Sequence, residues 1–168
     1  MLPITINPQM VRIGLVGIGE ARQRRAALLA DAQVEAVSVA IESGDAALHS
    51  LSVLFIAGLE RPLAAELARR ARAGGVLVNV EDAPELCDFH VPAIVRRGAL
   101  VLTVSTGGKA PGLARRLREW LQERFGSEWD EHLQTIAAAR TGWRTEGSQP
   151  DEVSRRTRAM VDERGWLS

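Results

Sequence analysis

The chain holds a single cysteine, Cys87, so no internal disulfide framework is available to it. It has no apolar run of membrane-spanning length; its longest hydrophobic stretches are strand-sized. It lacks an excess of either charge: 21 Lys and Arg stand against 21 Asp and Glu, which gives no global pull toward nucleic acid or membrane. The aromatic residues do not interleave with the basic clusters, so a platform for stacking nucleic-acid bases is not expected. Three His and one Cys lie scattered, without structural zinc spacing, and no metal site is expected. The N-terminus lacks a basic region followed by a long apolar one, so no secretory signal is expected. These absences predict a soluble cytoplasmic protein, and 168 residues suffice for a core and a small appendage.

What is present alternates. Val11–Val16 is a short apolar run ending in Gly17-Ile18-Gly19, and Ala21–Ala32 follows at helical spacing. Val34–Ile41 is β-rich, Ser43–Ser50 reads as a loop or a short helical turn, and Val53–Ala57 is a buried-type strand. Pro62–Ala73 reads as a helix with Pro in its first turn and Gly74-Gly75 after its end, and Val76–Val80 as another buried strand. The order β-α-β-β-α-β implies a parallel, doubly wound sheet with both faces covered. Ligands of such sheets lie at the carboxyl ends of the strands, which here are Gly17–Glu20, Ile41-Glu42, Ala57-Gly58 and Asn79–Asp82. Beyond Asp82 come a turn at Ala83-Pro84-Glu85, a short element at Pro92–Arg96 and a strand at Leu100–Val104. A helix then runs from Pro111 to about Phe125. Trp129, Leu133, Ile136 and Ala137 follow at helical spacing, then a polar linker at Arg144–Pro150 and a basic helix at Glu152–Arg164. The four Trp of this part are expected to pack or to anchor an interface.

Three segments carry chemistry. Gly17-Ile18-Gly19 between strand and helix permits a tight turn and close backbone approach to a pyrophosphate, with Arg22 where a third small residue is usual. Glu42, after the second strand, is placed to accept from ribose hydroxyls. Asn79-Val80-Glu81-Asp82 brings a carboxylate to the nicotinamide side of such a site, where it can take a substrate proton; the alternative is that Asp82 caps the following turn. Ser105-Thr106-Gly107-Gly108-Lys109 feeds a helix start and forms an anion nest suited to carboxylates or phosphate. It is not a Walker A loop.

The combination of Leu2-Pro3, Gly17-Ile18-Gly19-Glu20, Asn79-Val80-Glu81-Asp82, Phe89-His90-Val91-Pro92-Ala93-Ile94 and Ser105–Glu119 resembles the precorrin-2 dehydrogenase family, the N-terminal module of siroheme synthases. The match is dense from 76 to 119 and thinner before it. The resemblance implies an α/β fold: a Rossmann-type parallel sheet (1–86), a small α+β dimerisation domain (87–125) and a C-terminal helical segment (126–168). It implies NAD-dependent oxidation of precorrin-2 to sirohydrochlorin by a homodimer, with ferrous iron insertion in some relatives. Asp82 falls on the catalytic aspartate. Gly17, Ile18, Gly19, Glu20, Ala21, Ile41, Glu42, Ala57 and Gly58 fall at the NAD side, and Asn79 and Ser105, Thr106, Gly107, Gly108 and Lys109 at the tetrapyrrole. No methyltransferase domain follows, so the preceding methylation is not expected of this chain. The chain departs from the family at Arg22, Gln33, the short 43–52 stretch, Gly58-Leu59-Glu60 and His90. These departures cluster on the NAD half and motivate an alternative, a non-catalytic dimeric tetrapyrrole-binding protein on the same scaffold.

Overall fold

The structure is a computed structural model and describes residues 2–167. The chain forms two compact units, Met1–Val91 and Pro92–Ser168.

The first unit is a parallel sheet of order β2-β1-β3-β4, built from β1 (Ile13–Gly17), β2 (Val37–Ser38), β3 (Val53–Ala57) and β4 (Leu77–Val80). β1 and β3 run in register from Ile13↔Val53 to Gly17↔Ala57. β3 lies between β1 and β4 and is buried along its whole length, which is why it reads as unbroken apolar sequence. Helix α1 (Gly19–Asp31) covers one face, where Ile13, Leu15, Val53 and Phe55 pack with Leu29 and with Phe89 beyond β4. Helix α3 (Arg61–Ala73) and the short α2 (Asp45–His49) cover the other, joining Leu48, Leu67 and Ala71 to Val16, Leu54, Ile56 and Val78. Truncating any of the large members of this cluster to Ala is expected to cost about 2–5 kcal/mol.

Two expectations are corrected here. The Val34–Ile41 run contributes only Val37–Ser38 to the sheet. Its first residues serve the end of α1, where Val34 N donates to Leu29 O at 2.9 Å. Its last residues turn, with Ser43 N donating to Ala40 O. β2 is also an edge strand with one partner, so β propensity alone does not extend it. Helix α1 starts at Gly19, two residues before the apolar spacing begins.

In the second unit β5 (Ala93–Arg97) and β6 (Leu100–Val104) form an antiparallel hairpin from Ala93↔Val104 to Arg97↔Leu100. Helix α4 (Pro111–Arg124) follows, with Pro in its first turn, where a missing N–H costs nothing. Arg97 donates to Phe125 O (2.7 Å) and Gln122 O (3.2 Å), satisfying carbonyls left open at the end of α4. Helices α5 (Trp129–Thr145) and α6 (Pro150–Glu163) complete the unit, and the expected linker shrinks to Glu146–Gln149 because nothing breaks α5 before Gly147. Trp129 is buried, and Trp166 stacks on His132 with centroids 4.0 Å apart. No described helix is long and apolar enough to cross a membrane.

Candidate functional site

The carboxyl edge of the sheet assembles from backbone first. Gly17 leaves β1 at φ 147°, and a Cβ there would collide with Ala57 O. Ile18 N donates to Ala57 O at 3.2 Å. A Cβ on Gly58 would collide with Ile18 O and lie 3.2 Å from the Ala21 methyl. Gly17, Ile18, Ala21, Ala57 and Gly58 therefore form one interlocked floor, in which neither Gly17 nor Gly58 tolerates a side chain.

Gly19 differs. Its φ is 64°, and nothing lies within 4 Å of where its Cβ would be. Ile18 caps α1 with no side-chain hydrogen bond, so the first-turn amides of α1 keep their donors facing outward. An open space above an uncapped helix start fits a pyrophosphate, which takes those amides and the helix dipole. Arg22 does not intrude: its Nη2 donates to Ser38 Oγ on β2 at 2.9 Å. Glu20 is exposed at the same start, 3.8 Å from Arg24. Ile41 is half-buried and Glu42 exposed in the turn after β2. That turn is tied down by Arg70 of α3, which donates to Ser43 O (2.7 Å) and Asp45 Oδ1 (2.6 Å).

At the end of β4, Asp82 sits at φ 57°, in the left-handed region a non-glycine residue occupies at a cost. Its side chain is exposed, and it does not cap the turn that follows; that place belongs to Ala83, with no side-chain bond. Asn79 is 5% exposed; its Nδ2 donates to Phe89 O at 2.9 Å and its Oδ1 is buried without a partner. Its amide is thus spent on the segment beyond β4.

Sequence reasoning did not single out the charges on the α1 face here. Glu81 Oε1 lies 3.6 Å from Arg24, while its Oε2 is buried and unpartnered. The Arg25 guanidinium stands 5.2 Å over the Phe55 ring, and burial lowers its pKa against the opposing charge of Glu81. Arg25, at helical spacing from the apolar Ala21, Leu28 and Leu29, was the available signal. A hollow of about 280 Å³ opens at the opposite edge of this sheet, lined by Pro8, Val11, Gln33 and Glu35, away from all of these groups.

Ser105–Lys109 lie in the second unit, between β6 and α4. Ser105 Oγ accepts from Gly107 N (3.3 Å) and Thr106 Oγ1 from Ala110 N (3.2 Å), which folds the loop on itself. Gly107 and Gly108 both have positive φ, and Lys109 is exposed. Among the described residues no cluster of His, Cys, Asp and Glu could hold a metal ion.

Residues 4–93 match a protein family described as "Putative NAD(P)-binding". The chain is 40% identical over 149 residues to the siroheme synthase of Azotobacter vinelandii, covering 74% of this chain and 32% of that enzyme. It is 35% identical over 175 residues to the siroheme synthase of Pseudomonas fluorescens, covering 92% of this chain and 37% of the relative. It thus spans only about a third of the curated relatives it matches. A solved structure of SirC, a precorrin-2 dehydrogenase, superimposes with a TM-score of 0.76 over all of this chain and 93% of that one, at 17% identity. That likeness gives the fold: a Rossmann-like parallel sheet, a two-stranded hairpin and C-terminal helices.

Proposed function

The chain belongs to the NAD(P)-binding family of siroheme synthase N-terminal modules and precorrin-2 dehydrogenases, and on that premise we propose that it oxidises precorrin-2 to sirohydrochlorin with NAD as acceptor. The observation that carries the proposal is the sheet's carboxyl edge, where an open start of α1 after β1 and the exposed, left-handed Asp82 after β4 stand on either side of the end of β3 in one parallel sheet.

Bound there, NAD supplies a hydride acceptor. Gly19, Glu20 and Ala21 hold its pyrophosphate through the α1 amides, and the floor of Gly17, Ile18, Ala57 and Gly58 lets the phosphates approach backbone. Ile41 and Glu42 take the ribose at the end of β2, where an acid accepts hydroxyl protons and disfavours a 2′-phosphate. Asp82 accepts the proton that leaves the substrate carbon as the hydride departs; an exposed carboxylate with no hydrogen-bond donor holding it is free to do so. Lys109 and the amides of Ser105–Gly108 hold substrate carboxylates. Two copies of the chain are proposed to form the working enzyme.

The test supplies precorrin-2 and NAD to the purified chain and follows sirohydrochlorin and NADH together. Asp82→Asn, close to isosteric but unable to take the proton, is expected to lower kcat roughly 100-fold or more with NAD affinity unchanged. An Asp82→Asn protein with parental kcat removes Asp82 from the chemistry. A parent that fails to bind NAD at millimolar concentration by calorimetry rejects the enzyme and leaves the non-catalytic reading.

A further inference from the structure

The geometry points to a clasp along the free edge of β4, made by Arg72, Cys87 and Asp88, that aims the Asp82 carboxylate; the inference rests on the proposed role of Asp82.

β4 pairs with β3 on one side only, so the other side of Val78 and Val80 presents unpaired backbone groups. No further strand satisfies them. Instead the 86–89 segment returns alongside. Asp88 N donates to Val78 O at 2.8 Å, and Val78 N donates to Asp88 Oδ2 at 2.8 Å. Cys87 Sγ accepts from Val80 N at 3.2 Å, and its proton has Val80 O at 3.2 Å and Ala83 O at 3.4 Å as acceptors. Asn79 Nδ2 reaches Phe89 O. From α3, Arg72 Nε holds Asp88 at 2.8 and 3.0 Å and Arg72 Nη2 holds Leu86 O at 2.6 Å. A carboxylate and a thiol thus do the work of a neighbouring strand.

The clasp engages Val80 and Ala83, the residues on either side of the Glu81-Asp82 turn. Inside that span the backbone takes its costly left-handed step at Asp82, while the Asp82 side chain stays exposed. A strained residue persists where its surroundings over-determine it. Here the backbone on both sides is fixed and the carboxylate is left unengaged, which is what a base of defined position requires. Edge protection alone would need the bonds to Val78 and Val80 but not the contact to Ala83.

Cys87 is therefore a positioning residue, and the measurement is a cycle with Asp82. Cys87→Ala is expected to lower kcat about 10- to 100-fold with the KM for NAD unchanged. Cys87→Ser, which keeps a donor and an acceptor at that point, should recover most of the rate. In an Asp82→Asn background, Cys87→Ala should cause no further loss; a full additional loss there overturns the inference. Amide hydrogen exchange provides an arm that does not depend on turnover: Cys87→Ala should accelerate exchange at Val80 while β1 and β3 amides keep their protection. Unchanged exchange at Val80 overturns the clasp. If Asp82→Asn retains activity, or the parent shows none, the functional reading fails and the clasp is judged on Val80 alone. Should Cys87→Ala not fold, alkylation of this single thiol in the folded parent replaces it. Loss of kcat with an unchanged circular dichroism spectrum is then expected, and full retention after complete labelling refutes the role.

Discussion

At the scale of residues, Gln33 shows how a local motif accepts the wrong letter. Helix α1 ends at Asp31 with Ala32 as its C-cap, Gln33 follows at φ 57°, Gln33 N donates to Ala30 O and Val34 N to Leu29 O. This is the Schellman arrangement, completed by packing of Val34 with Leu29. Helix α3 ends in the same bonds with Gly75 in the left-handed place. A side chain there costs about 1 kcal/mol or more. Gln33→Gly is accordingly expected to raise stability by roughly 0.5–1 kcal/mol in denaturant unfolding, because the gain in the folded state exceeds the added freedom of the unfolded chain. No change, or a loss, means that the Gln33 side chain makes a compensating contact. The departure from the family at this position was visible in the sequence; that it falls on a helix end demanding φ > 0 without a glycine was not. Cys87 and Asp88 were hidden for a related reason. Their partners are backbone atoms of Val80 and Val78, and backbone atoms leave no mark in a residue pattern.

Among elements, the buried strands were the most legible, because β3 is an unbroken apolar run closed by Gly58 and β4, apolar but for Asn79, follows Gly74-Gly75, and Leu100–Val104 is a strand as read. β2 was overextended because the Val34–Ile41 letters serve three tasks: a helix end, two residues of strand and a turn. That turn carries Glu42, and its anchor, Arg70, comes from α3, far along the chain. The hydrogen bond from Arg70 holds the Asp45 carboxyl below its usual range, with the Arg70 charge adding to it. Since the folded value is the lower one, the contact's contribution is complete above the unfolded pKa of about 3.9 and is lost as pH falls through the folded value below it. The tie should therefore be unaffected between pH 5 and 8 and should release only in strong acid, on the order of pH 4 and lower. Asp45→Asn at neutral pH is expected to reproduce the acid state, read as matching NMR shifts of the Ala46 and Ala47 amides. It should also weaken NAD binding by a few-fold through a looser Ile41-Glu42 turn, without touching kcat. Identical shifts in parent and variant would show that Arg70 holds the turn through Ser43 O alone.

On the scale of the whole molecule, what remains unaccounted for is apolar surface on the second unit. Leu113, Leu117 and Trp120 of α4 are 52%, 39% and 52% exposed, and they recur at i, i+4 and i+7, so they form one stripe. None of α4 is buried within the chain, although its spacing is that of a helix with a face to hide. The β5–β6 hairpin, a two-stranded ribbon with both outer edges open, is marginal by itself. Charge balance is neutral, so nothing electrostatic keeps two copies apart. A second copy of the chain supplies an apolar stripe of matching character and a hairpin edge at once, which is the self-complementarity a two-fold interface requires. The homodimer proposed above is thus argued from α4, with Trp120 as its aromatic anchor. Leu117→Glu with Trp120→Glu should convert a dimer to a monomer in sedimentation equilibrium, with far-UV helicity kept because both positions are solvent-facing in one chain. NAD binding, which the proposed function assigns to the first unit, should survive the change; precorrin-2 turnover should fall if the substrate cleft is shared by two copies. A parent that sediments as a monomer at micromolar concentration removes the dimer, and the stripe on α4 then requires a different partner.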